Sequence, residues 1–153
     1  MSQERRHATA IAIAGEAVLI EGPSGSGKSD LALRLIDQGA LLVGDDQVMV
    51  SRDKDGLWVQ PMPTIEGRME VRGLGIIAVP STARAPLRLV VKTGQPAERM
   101  PATDQGLPRS AILDVGLPTL EIIAFEASAP AKIRLALMAH SRELFRGEIT
   151  PRE

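Results

Sequence analysis

Gly22-Pro23-Ser24-Gly25-Ser26-Gly27-Lys28-Ser29 is the stretch on which the reading of the fold turns. It matches G-x-x-x-x-G-K-[ST] at every fixed position, the pattern of a loop that cradles phosphate. Glycines let successive backbone N–H groups curl around phosphate oxygens with no side chain in the way. The helix that follows points its positive end at the same anion. Lys28 adds a mobile charge for the β and γ phosphates, and the Ser29 hydroxyl is placed to ligate Mg²⁺. A Gly/Ser-rich connector between any strand and helix has a similar composition. Here the apolar run Ala17 to Ile20 precedes the loop, and a helix from Ser26-Gly27 to about Gln38 follows it. Leu31, Ala32, Leu35 and Ile36 make one apolar stripe on that helix, and Gly39 stops it. The flanks favour nucleotide binding, and the motif is silent about what is done with the phosphate.

Working outward, Thr9, Ile11 and Ile13 alternate with Ala10, Ala12 and Ala14, which is strand periodicity, and Gly15-Glu16 turns the chain into the strand before the loop. Beyond the helix, Leu41 to Val43 form a buried strand ending at Gly44-Asp45-Asp46. Residues 47–51 and 57–60 flank Asp53-Lys54-Asp55-Gly56, a hairpin turn signal. After Pro61 and Pro63 come Met69 to Gly75, strand-like Ile76 to Val79, and a further strand at Leu87 to Val91. The segment 93–118 is rich in Pro, Gly and polar residues and yields no assignment. Ser128 followed by Pro130 marks the start of a last helix running to about Phe145. Many strands with two clear helices make an α/β fold, expected as one domain over residues 1–153.

Composition removes several classes of function. Eighteen Lys and Arg against nineteen Asp and Glu in 153 residues leave a formal charge of −1, with no basic block for a polyanion, so nucleic acid is not the expected partner. One Trp, two Phe and no Tyr are too few rings for single-strand stacking platforms. The absence of Cys excludes disulfides, thiolate metal sites and a Cys nucleophile. Glu16 and Glu21 interrupt the apolar N-terminal run, so no signal peptide is read, and no stretch reaches the ~18 apolar residues of a spanning helix. A cytoplasmic domain without a membrane partner is expected.

The pair Asp45-Asp46 ends the strand after the phosphate-loop helix. If that strand runs parallel to the one before the loop, both carboxyl ends share a sheet edge and the pair lies beside the phosphates. One carboxylate then helps hold Mg²⁺ and the other accepts a proton from an attacking hydroxyl. An Asx turn leaving the strand is the other reading of the pair, and the neighbouring phosphate loop favours the first. His140 follows Ile133, Ala136 and Leu137 at helical spacing and reads as a core or interface residue. Trp58 and Met138 read as packing.

The run from His7 through Gly22-x-Ser24-Gly25-x-Gly27-Lys28-Ser29 to Asp45-Asp46, then Glu70-Val71-Arg72-Gly73-Leu74-Gly75-Ile76-Ile77, resembles HPr kinase/phosphorylase over about residues 7–100. The resemblance implies a P-loop kinase domain with a mixed central β-sheet and flanking helices, related to PEP carboxykinase. It implies transfer of phosphate from ATP, with Mg²⁺, to a serine of HPr, the phosphocarrier of the sugar phosphotransferase system. Removal of that phosphate by phosphorolysis and a hexameric homo-oligomer are implied as well. The chain resembles the short, catalytic-domain-only form of the family.

By the same resemblance His7 is a catalytic histidine, Lys28 the loop lysine, and Asp46 the base in the kinase direction and the acid in reverse. Asp45 is its neighbour near the metal, and Ser29 and Glu70 are Mg²⁺ ligands. Residues Gly22, Pro23, Ser24, Gly25, Ser26, Gly27, Lys28 and Ser29 hold the nucleotide phosphates. Glu70 also reads as an exposed carboxylate beside a Gly turn, Arg72 as an anion contact or an ion-pair partner, and Arg99 as a catalytic arginine or a surface one. Family members carry a Pro-Gly-Arg-Asn-type segment tied to dephosphorylation. This chain has Ala127-Ser128-Ala129-Pro130-Ala131-Lys132 there, with Lys132 or Arg134 as stand-in cations. Two rival functions are a P-loop kinase or NTPase acting on a small metabolite, and a nucleotide-sensing module without turnover.

Overall fold

Alternation of apolar and small residues in the first strands builds the two faces of a central sheet. In the computed structural model, which describes residues 2–94 and 106–142, β1 (Ser2–Arg6), β2 (Thr9–Ile13) and β3 (Glu16–Glu21) precede the phosphate loop and α1 (Lys28–Asp37). Next come β4 (Leu41–Gly44), β5 (Val48–Asp53), β6 (Gly56–Pro61), a 3₁₀ turn at Pro63–Ile65, β7 (Arg68–Val71), β8 (Gly75–Ala78) and β9 (Ala85–Thr93). The C-terminal part holds β10 (Arg109–Ile112), β11 (Val115–Ile122) and α2 (Ala129–Arg142). The expected end of the last helix near Phe145 lies outside the described residues.

Among the described residues the main sheet runs in the order β1-β5-β6-β9-β3-β2-β4, with β11 beside β9 and β10 beside β11, and β7 with β8 forms a separate hairpin. It is mixed: β9 is parallel to β3 and β11 to β9, while β2 is antiparallel to both β3 and β4. The strand before the loop and the strand before the Asp pair therefore point the same way, with β2 between them. That meets the condition on which the convergence of loop and Asp pair depends.

Each face of the sheet is covered. Ile11, Val18, Ile20, Leu42, Leu89, Val91 and Ile122 pack under α1 and α2, meeting Leu31, Leu35 and Ile133. On the other face Ala10, Ala12, Ala17, Leu19, Val43 and Val90 meet Val48, Val50, Val59 and Ile112 of the curled-over strands. The small alanines of β2 leave room for that second layer to approach. Leu31 and Leu35 are fully buried, each worth about 1.5–3 kcal/mol in removed apolar surface. The C-terminus of α1 closes as expected at Gly39, φ +106: its N–H bonds the Ile36 carbonyl and that of Ala40 bonds the Leu35 carbonyl, the Schellman pattern.

Two expectations need correction, and one unassigned segment gains its structure. The β2–β3 turn is Ala14-Gly15, with φ of +51 and +82, rather than Gly15-Glu16. The segment 93–118 contains β10 and the start of β11, joined at Leu113-Asp114, both at positive φ without a glycine. Met138 is exposed on α2 beside Leu135 rather than packed, because Ile133, Ala136 and Leu137 take the inward positions. Trp58 is half-buried as a packing residue, with Arg84 3.9 Å over its ring and its Nε1 donating to Asp53 Oδ1 at 3.1 Å. No helix among the described residues is long and apolar enough to cross a membrane.

Candidate active site

The carboxyl ends of β11, β9, β3 and β4 and the start of β2 meet at one sheet edge, and the phosphate loop rises from its middle. Gly22 opens the loop at φ +155, where an added Cβ would lie 2.0 Å from Thr93 Oγ1, so no larger residue fits without moving β9. Thr93 Oγ1 donates to the Glu21 carbonyl at 3.0 Å and shares a 2.6 Å hydrogen bond with Ser26 Oγ, tying the loop to the neighbouring strand. Gly27 is the N-cap of α1 at φ +96 and has no side chain to bond the first-turn amides. Those amides are left for an outside acceptor of the kind that phosphate oxygens offer. Lys28 Nζ donates to the Gly22 carbonyl at 2.7 Å and the Pro23 carbonyl at 3.2 Å, which keeps its charge over the cradle.

The Asp pair splits into two environments. Asp45 is 7% exposed, and its Oδ1 accepts hydrogen bonds from Ser29 Oγ at 2.8 Å and Thr9 Oγ1 at 3.0 Å. Its Oδ2 faces the Glu70 N–H at 3.4 Å. Asp46 is exposed and left-handed, φ +69, and its N–H points to Thr9 Oγ1 at 3.4 Å. The chain thus turns one carboxylate down onto the loop serine and the next one out. His7, exposed, is adjacent: the N–H of Ala8 bonds the Asp46 carbonyl at 3.1 Å. Glu70, also exposed, is delivered by β7, whose Met69 is buried against the helical core.

Sequence reading gives Thr9 only a strand position, yet it joins Asp45 to Asp46; a hydroxyl at the start of a strand offers no cue. Arg6 is a second omission. Its Nη2 meets Glu21 Oε2 at 2.6 Å and its Nη1 meets Glu4 Oε2 at 2.5 Å, clamping β1 to the residue before the loop. Burial works against the Arg6 charge, and the hydrogen bonds to Glu21 and Glu4 outweigh it, raising the pKa.

Not every expected residue reaches this edge. Arg72 is exposed on the β7–β8 turn, and Arg99 lies outside the described residues. Arg134 bonds Gln38 through its side-chain and main-chain oxygens, at the end of α1 remote from Ser29. A helix of that length sets the two ends about 15 Å apart. Lys132 pairs with Glu126 at 3.7 Å. Arg134 is thus engaged at the far end of α1, and Lys132 with Glu126, just after β11.

The donor set around Asp45 suits a hard cation: a hydroxyl and a carboxylate in contact, with the Glu70 carboxylate on the adjoining strand. Among the described residues no three His, Asp or Glu side chains gather into a cage. Mg²⁺ at nucleotide sites needs only one or two protein ligands, the rest being phosphate and water.

Comparison with known proteins identifies the family and the fold. Residues 1–122 match the family model described as HPr Serine kinase C-terminal domain. The chain belongs to that family. It is 43% identical over 76 residues to the HPr kinase/phosphorylase of Streptococcus salivarius, a match covering 49% of the chain and 25% of the relative. To that of Streptococcus thermophilus (strain ATCC BAA-491 / LMD-9) it is 45% identical over 76 residues, with the same shares. The chain spans about a quarter of the length of the curated relatives it matches. Among solved structures, the Hpr(Ser) kinase/phosphatase from Coxiella burnetii superposes with a TM-score of 0.79 at 27% identity, covering 92% of each chain. The mixed sheet with few helices is therefore the fold of this family's C-terminal domain.

Proposed function

We propose that residues 1–153 form one catalytic domain, an ATP- and Mg²⁺-dependent kinase that phosphorylates a serine of HPr or an HPr-like phosphocarrier. The observation that carries this reading is the chain of contacts Ser29–Asp45–Thr9–Asp46, which sets a buried carboxylate on the loop serine and an exposed one beside it. The names of the relatives supply the substrate class.

Loop amides and Lys28 hold the triphosphate and offset charge on the γ-phosphoryl group as it transfers. Ser29, Asp45 and Glu70 are the residues that would hold Mg²⁺, which when bound supplies charge neutralisation and alignment of the β and γ phosphates. Asp46 takes the proton of the substrate serine hydroxyl. The serine oxygen forms its bond to the γ-phosphorus as the β–γ bridging bond breaks, and ADP leaves. His7, beside Asp46, adjusts the charge around that proton. Most of the rate comes from placement of the two reacting oxygens. In phosphorolysis an oxygen of inorganic phosphate held by the loop bonds to the phosphoserine phosphorus as the bond to the serine oxygen breaks, Asp46 returns the proton to that oxygen, and pyrophosphate leaves. A homo-oligomer in the cytoplasm completes the reading, and the exposed Leu74 and Ile76 of the β7–β8 hairpin and Leu135 of α2 support assembly.

Incubation with γ-labelled ATP, with and without an HPr-type protein, tests the proposal by mass spectrometry of that protein. Label on one serine, lost in Lys28→Ala, is expected. ATP consumed equally without the acceptor would point to a small-metabolite enzyme, and binding without turnover to a sensor.

A further inference from the structure

Phosphoryl transfer in line fixes where the rest of the nucleotide lies. The attacking oxygen and the leaving bridge oxygen stand on opposite sides of the γ-phosphorus. Every acidic group of the site comes from one flank: Asp45 and Asp46 after β4, with His7 and Thr9 at the start of β2 and Glu70 on β7. The acceptor enters there, so the nucleoside leaves toward the other flank of β3, where β9 and β11 lie.

On that flank stands a ring. Phe125 follows β11 and is 64% exposed, whereas Ala124 before it is 1% exposed and part of the core. The ring edge rests on the phosphate loop: a Cβ at Gly27 would lie 2.9 Å from Phe125 Cζ and 3.1 Å from Cε1. Its backbone is held from α1, where Arg34 donates to the carbonyls of both Ala124 and Glu126. A turn bond from the Glu126 N–H to the Ile123 carbonyl at 3.1 Å completes the support. The chain has only two Phe, one Trp and no Tyr. Among the described residues Phe125 is the exposed ring of this set, and its edge is fixed against the loop.

We propose that Phe125 is the platform on which the nucleobase of the bound triphosphate stacks, a specificity-determining residue that favours nucleotides over inorganic polyphosphates. This rests on the reading of the loop as a triphosphate site and adds the direction of the base. An aromatic face accepts any base plane, so the platform contributes affinity rather than base discrimination. Phe125 touches no group that moves a proton, so its effect falls on binding.

Calorimetric titration of the full chain with Mg²⁺-ATP and with Mg²⁺-tripolyphosphate tests it, in the parent, Phe125→Ala and Phe125→Tyr. Phe125→Ala is expected to weaken ATP about tenfold, equivalent to about 1.4 kcal/mol, and to leave tripolyphosphate unchanged. Phe125→Tyr keeps the ring and is expected to bind ATP as the parent does. Equal loss for both ligands in a variant of unchanged melting temperature would make Phe125 a prop for the loop and overturn the proposal. Unchanged ATP affinity would overturn it as well. If the parent bound neither ligand, the phosphate-loop reading itself would fall and this one with it.

Discussion

Replacing each aspartate of the pair by asparagine separates the two roles assigned to them. At Asp46 the substitution is nearly silent for the fold. The residue is exposed, its φ of +69 is one that Asn adopts readily, and its backbone bonds to Thr9 Oγ1 and the Ala8 N–H remain. Stability should stay within about 0.5 kcal/mol of the parent. Turnover should not: a positioned general base is worth about 10²–10⁴-fold, or about 2.7–5.5 kcal/mol of barrier. Asp45 behaves in the opposite way. Its two oxygens accept from Ser29 and Thr9 on one side and face the Glu70 N–H on the other. An amide has one acceptor oxygen, so in Asp45→Asn either the new Nδ2 faces the Glu70 N–H, donor against donor, or the side chain turns over and the Ser29 and Thr9 hydroxyls must reverse to accept, and in both cases the bonds to a charged acceptor are lost. That costs about 1–3 kcal/mol, a sizeable part of the roughly 5–15 kcal/mol of an ordinary domain. Urea midpoints at constant m-value give the first quantity, and single-turnover formation of phosphoserine on HPr gives the second. If Asp46→Asn retained a third or more of the parent rate, or if it destabilised the fold more than Asp45→Asn, the assignment of roles would be wrong.

Three further outcomes follow from the same geometry. Gly22→Ala forces a Cβ to 2.0 Å from Thr93 Oγ1 at a φ of +155, so a loss of about 2–5 kcal/mol is expected from backbone strain and the broken Thr93 bonds. Adding Thr93→Ala should recover part of it, and additive urea midpoints would count against the steric account. Ser29→Ala should raise the Mg²⁺ concentration needed for half-maximal phosphorylation while leaving the fold intact, and an unchanged metal titration would remove Ser29 from the ligand set. The His140 pKa is lowered, chiefly by burial and then by the charge of Arg109. The unfolded chain therefore takes up the proton first. Its contribution is intact above about pH 6.5 and is lost as the pH falls below that value. Thermal melts at pH 7.5 and 5.5 should show a smaller acid loss in His140→Gln than in the parent, and an equal loss would refute the sign.

How much is legible without coordinates varies with the kind of signal. The phosphate loop, α1 with its buried Leu31, Ala32, Leu35 and Ile36, and the Gly39 stop all follow from local rules: glycine tolerance of positive φ, helix periodicity and end-capping. β1 escapes a reading of the sequence because Ser2–Arg6 is a polar strand that, among the described residues, pairs with β5 alone and has no apolar alternation. β10 escapes it because Leu113-Asp114 turns at positive φ with neither Gly nor Asn to announce it. In both places the pairing partner, rather than the residues themselves, makes the strand.

The chain alone carries the phosphate-loop pattern from Gly22 to Ser29 and an acidic pair closing the next core strand, since spacing and residue type suffice for both. The folded arrangement decided which carboxylate is which: Thr9 and Ser29 draw Asp45 inward, and the left-handed backbone at Asp46 sends its neighbour out. It also decided that Arg134 serves the far end of α1 and that Phe125 stands against Gly27. The partners lie from 16 positions apart, for Ser29 and Asp45, to 98 for Gly27 and Phe125, and no local rule of propensity or periodicity reaches across such separations.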